Sequence, residues 1–492
     1  MDPPGEEVMD YLCGDLDVVD VDQCSIASES SGQDNVSEDD ADVVELEGPE
    51  VFSPPRDDAA MTLQGHKESV FCVAIDPTGT YLVSGGQDHV AIVWNLQTGE
   101  IMFTTEKLED SVTCVAFSFD GNFLAAGDMA GGVRVWLRPE DGRSWTLLRS
   151  ETVADLSWLI WWQPSTIASR PKSSSAVLAA GDADGLITVW SISADSRPSS
   201  GGNKQSKYLS AGLDVAATSA IYYLPSVQTD RPKLLVLYQN SELRLWDLKT
   251  ELSLASLRLV PADESTSELT SSNPQVFCLA CPQLRSSYER AAHDRDLLAV
   301  GGVGTIYVVV VKESAPADCP LSAKCIAAFD TGDCDSVEAV DFAWTHPFFA
   351  FATVGGMIGI VDTVKLRMRQ KWLYTDENSS AVGLTCLKWS CTMPIFFTTT
   401  TNGAVVSWPG VCGLTEVDAA GFTKAPEPLA VFWGHRAMVL DLALPPSSSV
   451  MSYGQSGSST GDTLVEPFVA SASDDSTIRL FSLKSIRMPA IR

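Results

Sequence analysis

The sequence lacks the patterns by which most enzymes and membrane proteins are recognised. No apolar run approaches the ~20 residues that a membrane-spanning helix needs. There are only five histidines, and no Gly-Lys-Ser/Thr phosphate loop or Gly-x-Ser-x-Gly nucleophile motif occurs in a usable context. Without a nucleophile–base pair or a metal-ligand constellation, the sequence predicts a non-enzymatic protein with no cofactor and no membrane partner.

Basic residues are scarce as well. The chain has 33 Lys and Arg against 64 Asp and Glu, a formal net charge of −31. Residues 1–58 contain 19 of these acids and one base, Arg56, which leaves 45 acids and 32 bases in the remainder. An acidic protein repels nucleic acids and membrane surfaces and attracts basic polypeptides. The charge therefore favours a basic polypeptide partner and no direct nucleic-acid contact, with plain solubility as the alternative explanation of the acidic tail.

The twelve cysteines form no disulfide framework or zinc motif. Four of them occupy equivalent predicted strands, where cysteine acts as a small buried apolar residue: Cys72, Cys114, Cys278 and Cys386. Cys278 and Cys281 have zinc-ligand spacing, but positions three apart in a strand face opposite sides. We therefore expect no metal site and a reducing compartment. The acidic N-terminus has no signal-peptide pattern, so a cytoplasmic location is expected, with the nucleus also open.

The stretch from Leu63 to Trp94 carries the clearest structural signal. It contains three short apolar strands separated by the turns Asp76–Gly79 and Gly85–Asp88. In a WD repeat, a His before the first strand, a Ser on the second, an Asp in the next turn and a Trp on the third can hydrogen-bond in series. Here these residues are His66, Ser84, Asp88 and Trp94. The pattern predicts a structural role for all four, not catalysis.

The pattern recurs, which a blade requires because it cannot bury both faces alone. The position that ends each repeat is filled in turn by Trp94, Trp136, Trp190, Trp246, Val309, Val361, Trp408 and Phe481. The last repeat also has His435, Ser471 and Asp475 at the polar positions. No repeat can be removed without leaving a strand-rich stretch unassigned. The sequence thus predicts an all-β, WD-repeat β-propeller over residues 59–485, with eight blades and not the commoner seven.

The ends of the chain complete this domain plan. Met1 to Asp58 is acidic and poor in aromatic residues, which predicts a disordered tail. Little chain follows Phe481, so we expect Ala59–Leu63 to supply the outer strand of the last blade and close the ring. Residues 486–492 are assigned to a short C-terminal tail.

Particular residues also resemble a known family. They are Gly65 to Val73, Asp110 to Cys114, Ala126 to Met129 and Val135-Trp136, with Val43 to Leu46 in the acidic tail. Together they resemble the angio-associated migratory cell protein family of WD-repeat proteins, strongly over residues 61–136 and in patches through 492. The resemblance implies eight blades and an acidic tail. Because the family includes ribosome-assembly chaperones, it also implies a chaperone that holds the basic N-terminal segment of a large-subunit ribosomal protein during late 60S assembly.

Acidic residues recur where propeller loops gather on one face. Those just before first strands are Glu68, Asp110, Asp155 and Asp335, and those in the turns between second and third strands are Asp128 and Asp182. We predict that these six bind Lys and Arg side chains, although ordinary solvated acids would give the same pattern. Asp184 is six residues before Trp190, as Asp88 is before Trp94, and is assigned a structural role.

Two functions remain open at this point. The first is the ribosomal-protein chaperone, expected to be a monomer. The second is a general interaction scaffold, such as a signalling adaptor, a cell-migration factor or a ubiquitin-ligase substrate receptor, since propellers serve many such functions.

Overall fold

The computed structural model describes residues 52–139, 144–162, 175–194, 206–212, 215–223, 233–259, 275–282, 297–313, 321–344, 346–410, 422–446 and 467–486. Within these ranges, 32 strands form eight antiparallel sheets of four strands each. One 3-10 turn, Leu483–Ser485, follows the last strand. The described residues include no helix long and apolar enough to span a bilayer. The all-β propeller with eight blades is therefore confirmed.

Strand β1 (Met61–Gln64) comes first in the chain but belongs to the last blade. Blade 1 contains β2 (Val70–Ile75), β3 (Tyr81–Gly86), β4 (Ala91–Asn95) and β5 (Ile101–Thr104). Blade 2 contains β6 (Val112–Phe117), β7 (Phe123–Asp128), β8 (Gly132–Leu137) and β9 (Thr146–Thr152). Blade 3 contains β10 (Leu156–Trp161), β11 (Ser175–Asp182), β12 (Leu186–Ser193) and β13 (Ser206–Ser210). Blade 4 contains β14 (Ala217–Tyr223), β15 (Lys233–Tyr238), β16 (Glu242–Asp247) and β17 (Leu252–Arg258).

The second half of the ring repeats this order. Blade 5 contains β18 (Val276–Ala280), β19 (Leu297–Gly302), β20 (Thr305–Glu313) and β21 (Leu321–Asp330). Blade 6 contains β22 (Val337–Phe342), β23 (Phe348–Thr353), β24 (Met357–Asp362) and β25 (Arg367–Leu373). Blade 7 contains β26 (Leu384–Trp389), β27 (Ile395–Thr400), β28 (Val405–Pro409) and β29 (Ala430–Phe432). Blade 8 contains β30 (Val439–Ala443), β31 (Phe468–Ser473), β32 (Thr477–Ser482) and β1.

The ring is closed by the N-terminal strand. β1 pairs antiparallel with β32, from Met61 opposite Leu480 to Gln64 opposite Thr477. The first strands contact one another in sequence around the ring, and β30 of the last blade contacts β2 of the first. The predicted completion of the last blade is thus confirmed, with the strand beginning two residues later than expected. Because β1 pairs with β32, blade 8 has four strands, as every other blade has.

The repeat-ending position is equivalent in blades with and without tryptophan. Trp94 lies opposite Leu82 in blade 1, and Phe481 lies opposite the corresponding Val469 in blade 8. Phe481 is fully buried and stacks on Phe432 of blade 7, with ring centroids 5.4 Å apart. Burying such a side chain contributes about 1.5–3 kcal/mol. In blade 8 an apolar ring therefore fills the space between blades although the tryptophan is missing.

Residues 52–58, which we term the N-terminal strap, contact the edges of blades 7 and 8. Asp58 N donates to Trp433 O at 2.8 Å, and Trp433 N donates back to Asp58 Oδ2 at 3.0 Å. Arg56 Nη2 donates to Val431 O at 2.7 Å. From its composition alone, this segment is predicted to belong to the disordered tail. It instead satisfies backbone groups along β29, a three-residue edge strand. Residues 1–51 and 487–492 lie outside the described residues, so disorder of the tail stays a prediction.

Charged side chains link neighbouring first strands by hydrogen bonds and an ion pair. Asp341 Oδ2 of blade 6 accepts Trp389 N of blade 7 at 2.8 Å, and Asp441 Oδ2 of blade 8 accepts Val73 N of blade 1 at 3.0 Å. Lys388 Nζ lies 3.1 Å from Asp441 Oδ1. Burial raises the pKa of Asp341 to about 6. Burial opposes the charge of Lys388, but Asp441 beside it leaves the pKa of that amine raised.

Candidate protein-binding face

One backbone hydrogen bond recurs in every blade and defines a face of the propeller. The first residue of the turn between the second and third strands donates its N–H to the residue just before the first strand. The eight pairs are Gln87–Ser69, Met129–Ser111, Ala183–Asp155, Gln239–Ala216, Val303–Gln275, Val354–Ser336, Thr401–Gly383 and Asp474–Met438. We term the face that carries these turns and the chain leading into the first strands the top face, and the opposite one the bottom face.

Blade 1 has a continuous chain of side-chain hydrogen bonds beneath this face. Asp88 Oδ1 lies 2.9 Å from His66 Nδ1, and His66 Nε2 lies 2.7 Å from Ser84 Oγ. Trp94 Nε1 donates to Ser84 Oγ at 2.9 Å. The serine oxygen accepts the tryptophan N–H, and the imidazole bridges the serine hydroxyl and the Asp88 carboxylate. The four residues expected to act in series are therefore linked, and all are buried.

Blade 8 repeats the chain without its last member. His435 Nδ1 lies 3.0 Å from Asp475 Oδ2, and His435 Nε2 lies 2.8 Å from Ser471 Oγ. Phe481 takes the tryptophan position, and its ring packs edge-on against the imidazole. Burial lowers the pKa of His435, which is consistent with a neutral ring. This arrangement fixes the second strand of the blade against the turn that follows it.

The acids just before first strands do reach solvent. Glu68, Asp155 and Asp335 are exposed on the top face of blades 1, 3 and 6. Asp110 is half-buried, and its Oδ1 accepts the neighbouring Ser111 N at 2.6 Å. Four of the six predicted binding acids thus lie just before first strands on one face. Glu68, Asp110 and Asp335 share one position, and Asp155 is one residue nearer to its strand. Asp110 is already partly engaged by backbone.

The two turn acids predicted to bind a partner do not reach solvent. Asp128 and Asp182 are 1% and 2% exposed. Asp128 Oδ1 accepts Gly132 N at 2.7 Å, and Asp182 Oδ1 accepts Leu186 N at 2.8 Å. Both are the last residue of a second strand, and each carboxylate binds a backbone N–H four residues later. Their assignment to the binding patch was wrong, because the turn itself consumes their acceptor capacity.

Asp184, to which the sequence pattern assigns a structural role, is instead a surface residue. It has the same spacing to Trp190 as Asp88 has to Trp94, yet it is exposed. Blade 3 has no histidine ahead of β10, so nothing draws this carboxylate inward as His66 draws Asp88. The missing histidine was visible in the sequence and could have identified Asp184 as a surface acid. The exposed carboxylates of the top face therefore include Glu68, Asp155, Asp184 and Asp335.

The top face is not uniformly acidic. Lys67, Lys107 and Arg436 are exposed on blades 1 and 8. Lys67, Glu68 and Lys107 share a groove of about 290 Å³ whose floor includes Ile92 and Ile101. Among the described residues, no group of three His, Cys, Asp or Glu side chains is arranged to hold a metal ion. The arrangement suits polypeptide binding through side-chain charge.

Comparison with known proteins agrees with this architecture. The family model "WD domain, G-beta repeat" matches residues 58–95, 101–136 and 426–482. The chain is 26% identical over 407 residues to angio-associated migratory cell protein of Homo sapiens, covering 82% of this chain and 78% of that protein. It is 26% identical over 450 residues to the same protein of Canis lupus familiaris, covering 91% and 88%.

Solved structures share the fold at lower identity. Sqt1 of Saccharomyces cerevisiae superposes with a TM-score of 0.63 at 19% identity, covering 87% of this chain and 99% of that one. Sqt1 of Chaetomium thermophilum, bound to the N-terminus of the ribosomal protein L10, superposes with a TM-score of 0.62 at 17% identity, covering 87% and 100%. The chain is an eight-bladed WD-repeat β-propeller that resembles the angio-associated migratory cell protein family.

Proposed function

We propose that this protein is a dedicated chaperone whose top face captures the basic N-terminal segment of a large-subunit ribosomal protein. The observation that carries the proposal is the recurrence of exposed carboxylates just before first strands on one face: Glu68, Asp155 and Asp335. Asp184, on the turn beside Asp155, adds a fourth. The body that presents them holds 45 acids and 32 bases outside residues 1–58.

The spacing of these acids suits an extended chain better than a compact ligand. They lie on blades 1, 3 and 6, so one short side chain cannot reach all of them. An extended segment advances about 3.3 Å per residue and can present several Lys or Arg side chains along the rim. The solved complex of Chaetomium thermophilum Sqt1 with the N-terminus of L10 supports a client of this kind.

Individual contacts of this type are weak. An exposed ion pair contributes about 0–1 kcal/mol, so affinity comes from several contacts made together. The net acidic body also accelerates association with a basic client, and this gain is lost as salt is added. Binding is therefore expected to weaken steeply with ionic strength.

The test uses the full chain and a fluorescent peptide with the N-terminal sequence of ribosomal protein L10. We expect the double variant E68K/D335K to bind this peptide about 10- to 100-fold more weakly than wild type. The matched control is E100K/E427K, which makes the same charge change at exposed residues outside the turns and entry segments that define the top face. Equal affinities of the two variants would remove the basis for the acidic top-face site.

A general interaction scaffold is the second candidate, favoured by the fold class alone. Purification of the tagged full chain from cells separates the two. One basic ribosomal protein in stoichiometric amount supports the chaperone. Several signalling proteins or a ligase, with no ribosomal protein, supports the scaffold. Fractionation of the same cells before purification tests the expected cytoplasmic location.

A further inference from the structure

Three apolar side chains stand in solvent at one repeated position of the top face. This position is the first residue of the turn between the second and third strands. It is occupied by Met129 in blade 2, Val303 in blade 5 and Val354 in blade 6, which are 51%, 44% and 44% exposed. The corresponding residues beside the exposed acids of blades 1 and 3 are Gln87 and Ala183. Among the described residues, blades 5 and 6 are the one neighbouring pair that both expose an apolar side chain larger than alanine here.

The two valines lie on either side of Asp335. Val303 forms an antiparallel bridge with Ser336, and Val354 N donates to Ser336 O at 3.0 Å. Asp335 O accepts Gly304 N at 3.0 Å, so the backbone of Asp335 lies against the turn that begins at Val303. A Cβ added to Gly355 would lie 1.9 Å from Asp335 Oδ2, which shows that the carboxylate rests on that backbone next to Val354.

Both carboxylate oxygens of the neighbouring Asp333 accept hydrogen bonds, whereas Asp335 is exposed. Asp333 accepts Thr331 Oγ1 at 2.7 Å and Thr353 Oγ1 at 2.6 Å, one hydroxyl on each carboxylate oxygen. Asp330 and Glu338 are exposed nearby and add negative charge. The site therefore combines an exposed carboxylate, further exposed acids nearby and an exposed valine in the turn on either side.

We propose that Val303, Asp335 and Val354 form a subsite for one arginine or lysine side chain of the bound segment. The aliphatic stem packs between the two valines, and the charged head meets the Asp335 carboxylate. Long basic side chains combine these two parts, because they bury their methylenes while keeping the charge in water. The inference rests on the proposed function and assigns its strongest single contact to blades 5 and 6.

The two flanking valines distinguish this subsite from the exposed acid Glu68 of blade 1. A stem lying on the valines covers the carboxylate from two sides, and a charge pair strengthens when water is displaced from it. Glu68 lacks such flanking at its turn, where the corresponding residue is Gln87. The apolar and charged contacts should therefore be energetically coupled at blades 5 and 6.

The test is a double-mutant cycle with the labelled L10 N-terminal peptide and the full chain. We expect V303S/V354S to weaken binding about three- to tenfold, and D335N to weaken it about tenfold or more. If stem and head belong to one side chain, the triple variant loses less than the product of the two effects. Val364, 67% exposed in the turn between β24 and β25, supplies the control V364S, with no expected change.

A second readout locates the peptide directly. Cys334 is exposed and immediately precedes Asp335. Its alkylation, measured by peptide mass spectrometry, should slow when the L10 peptide is added to wild type and slow much less in V303S/V354S.

The outcomes are distinct for the two proposals. Wild-type affinity of V303S/V354S, together with loss of binding by E68K/D335K, overturns the subsite and leaves the chaperone proposal standing. Simple multiplicativity of the two effects overturns the single-side-chain geometry. If wild type fails to bind the peptide, both proposals fall.

Discussion

Arg479 and Asp57 are separated by 422 positions in the chain, yet Arg479 Nη1 donates to both carboxylate oxygens of Asp57 at 2.7 Å. The guanidinium belongs to β32 and is largely buried, whereas Asp57 belongs to the N-terminal strap. The contact fixes the strap against the blade that β1 completes. Closure of the ring therefore involves residues ahead of β1, not the strand alone.

A truncation series measures this contribution. Removing residues 1–51 should leave the melting temperature unchanged. Removing 1–58 should lower it by a few degrees, because the bonds of Asp57 and Asp58 are lost. Removing 1–64 should lower it far more, because β32 becomes an open edge. Calorimetry on the three proteins checks the order. Equal stability of the first two would show that the strap contacts contribute nothing.

The ion pair itself should be pH-dependent. The hydrogen bond from Arg479 is the main cause that lowers the pKa of Asp57 below its ordinary value. A lowered carboxyl pKa contributes stability above the unfolded-state pKa, and this is lost as pH falls through the folded one. We expect D57N to cost about 1 kcal/mol at pH 7, since Asp57 is well exposed, and less at pH 3, where more of the carboxyl is protonated. Chemical denaturation at both pH values tests this, and a constant difference would exclude a charge effect.

The two hydrogen-bonded histidine chains allow a matched comparison. In S84A, both His66 Nε2 and Trp94 Nε1 lose their partner. In S471A only His435 Nε2 does, because Phe481 has no N–H. A buried polar group left without a partner costs about 1–3 kcal/mol. S84A should therefore destabilise the protein by about one such increment more than S471A. Urea titrations of both variants give the difference, and equal losses would mean that the tryptophan bond contributes nothing.

The repeat made the architecture predictable from sequence. Strand spacing and the apolar position from Trp94 to Phe481 sufficed to predict eight blades, since both are local and periodic. The strap was missed for the opposite reason. Its contacts with Val431 and Trp433 join distant parts of the chain and have no periodic signature.

The binding acids were only partly predictable, because one structural role is filled by unlike side chains. The last residue of the second strand is Asp128, Asp182, Thr353 or Thr400 in different blades. In each of these its side-chain oxygen accepts the N–H of the residue four positions later. Spacing alone does not reveal that an acid and a threonine perform the same task. Spacing to the tryptophan therefore predicts a binding role for Asp182, which is buried, and a structural role for Asp184, which is exposed.

The channel acid Asp341 provides a pH test of the inner ring. Burial raises its pKa to about 6, from an ordinary value near 3.8. A carboxyl whose folded pKa is raised lowers stability as pH increases from about 4 to above 6, because the folded state holds the proton more tightly. D341N loses a hydrogen bond at every pH but cannot acquire the charge. The melting temperature of D341N minus that of wild type should therefore rise between pH 4.5 and 7.5. A flat difference would mean that Asp341 titrates normally.

Variants of Asp182 and Asp184, which lie at one turn, should affect stability and peptide affinity separately. D182A removes the acceptor of Leu186 N and should lower stability by about 1–3 kcal/mol. D182N keeps an oxygen acceptor for Leu186 N, so it should lose less stability than D182A. Neither Asp182 variant should alter affinity for the L10 peptide, because the carboxylate does not reach solvent. D184K should leave the melting temperature unchanged and weaken binding, since this side chain is exposed beside Asp155. Weaker binding by D182N with normal binding by D184K would restore the assignment made from the sequence and place the client beneath the turn instead of above it.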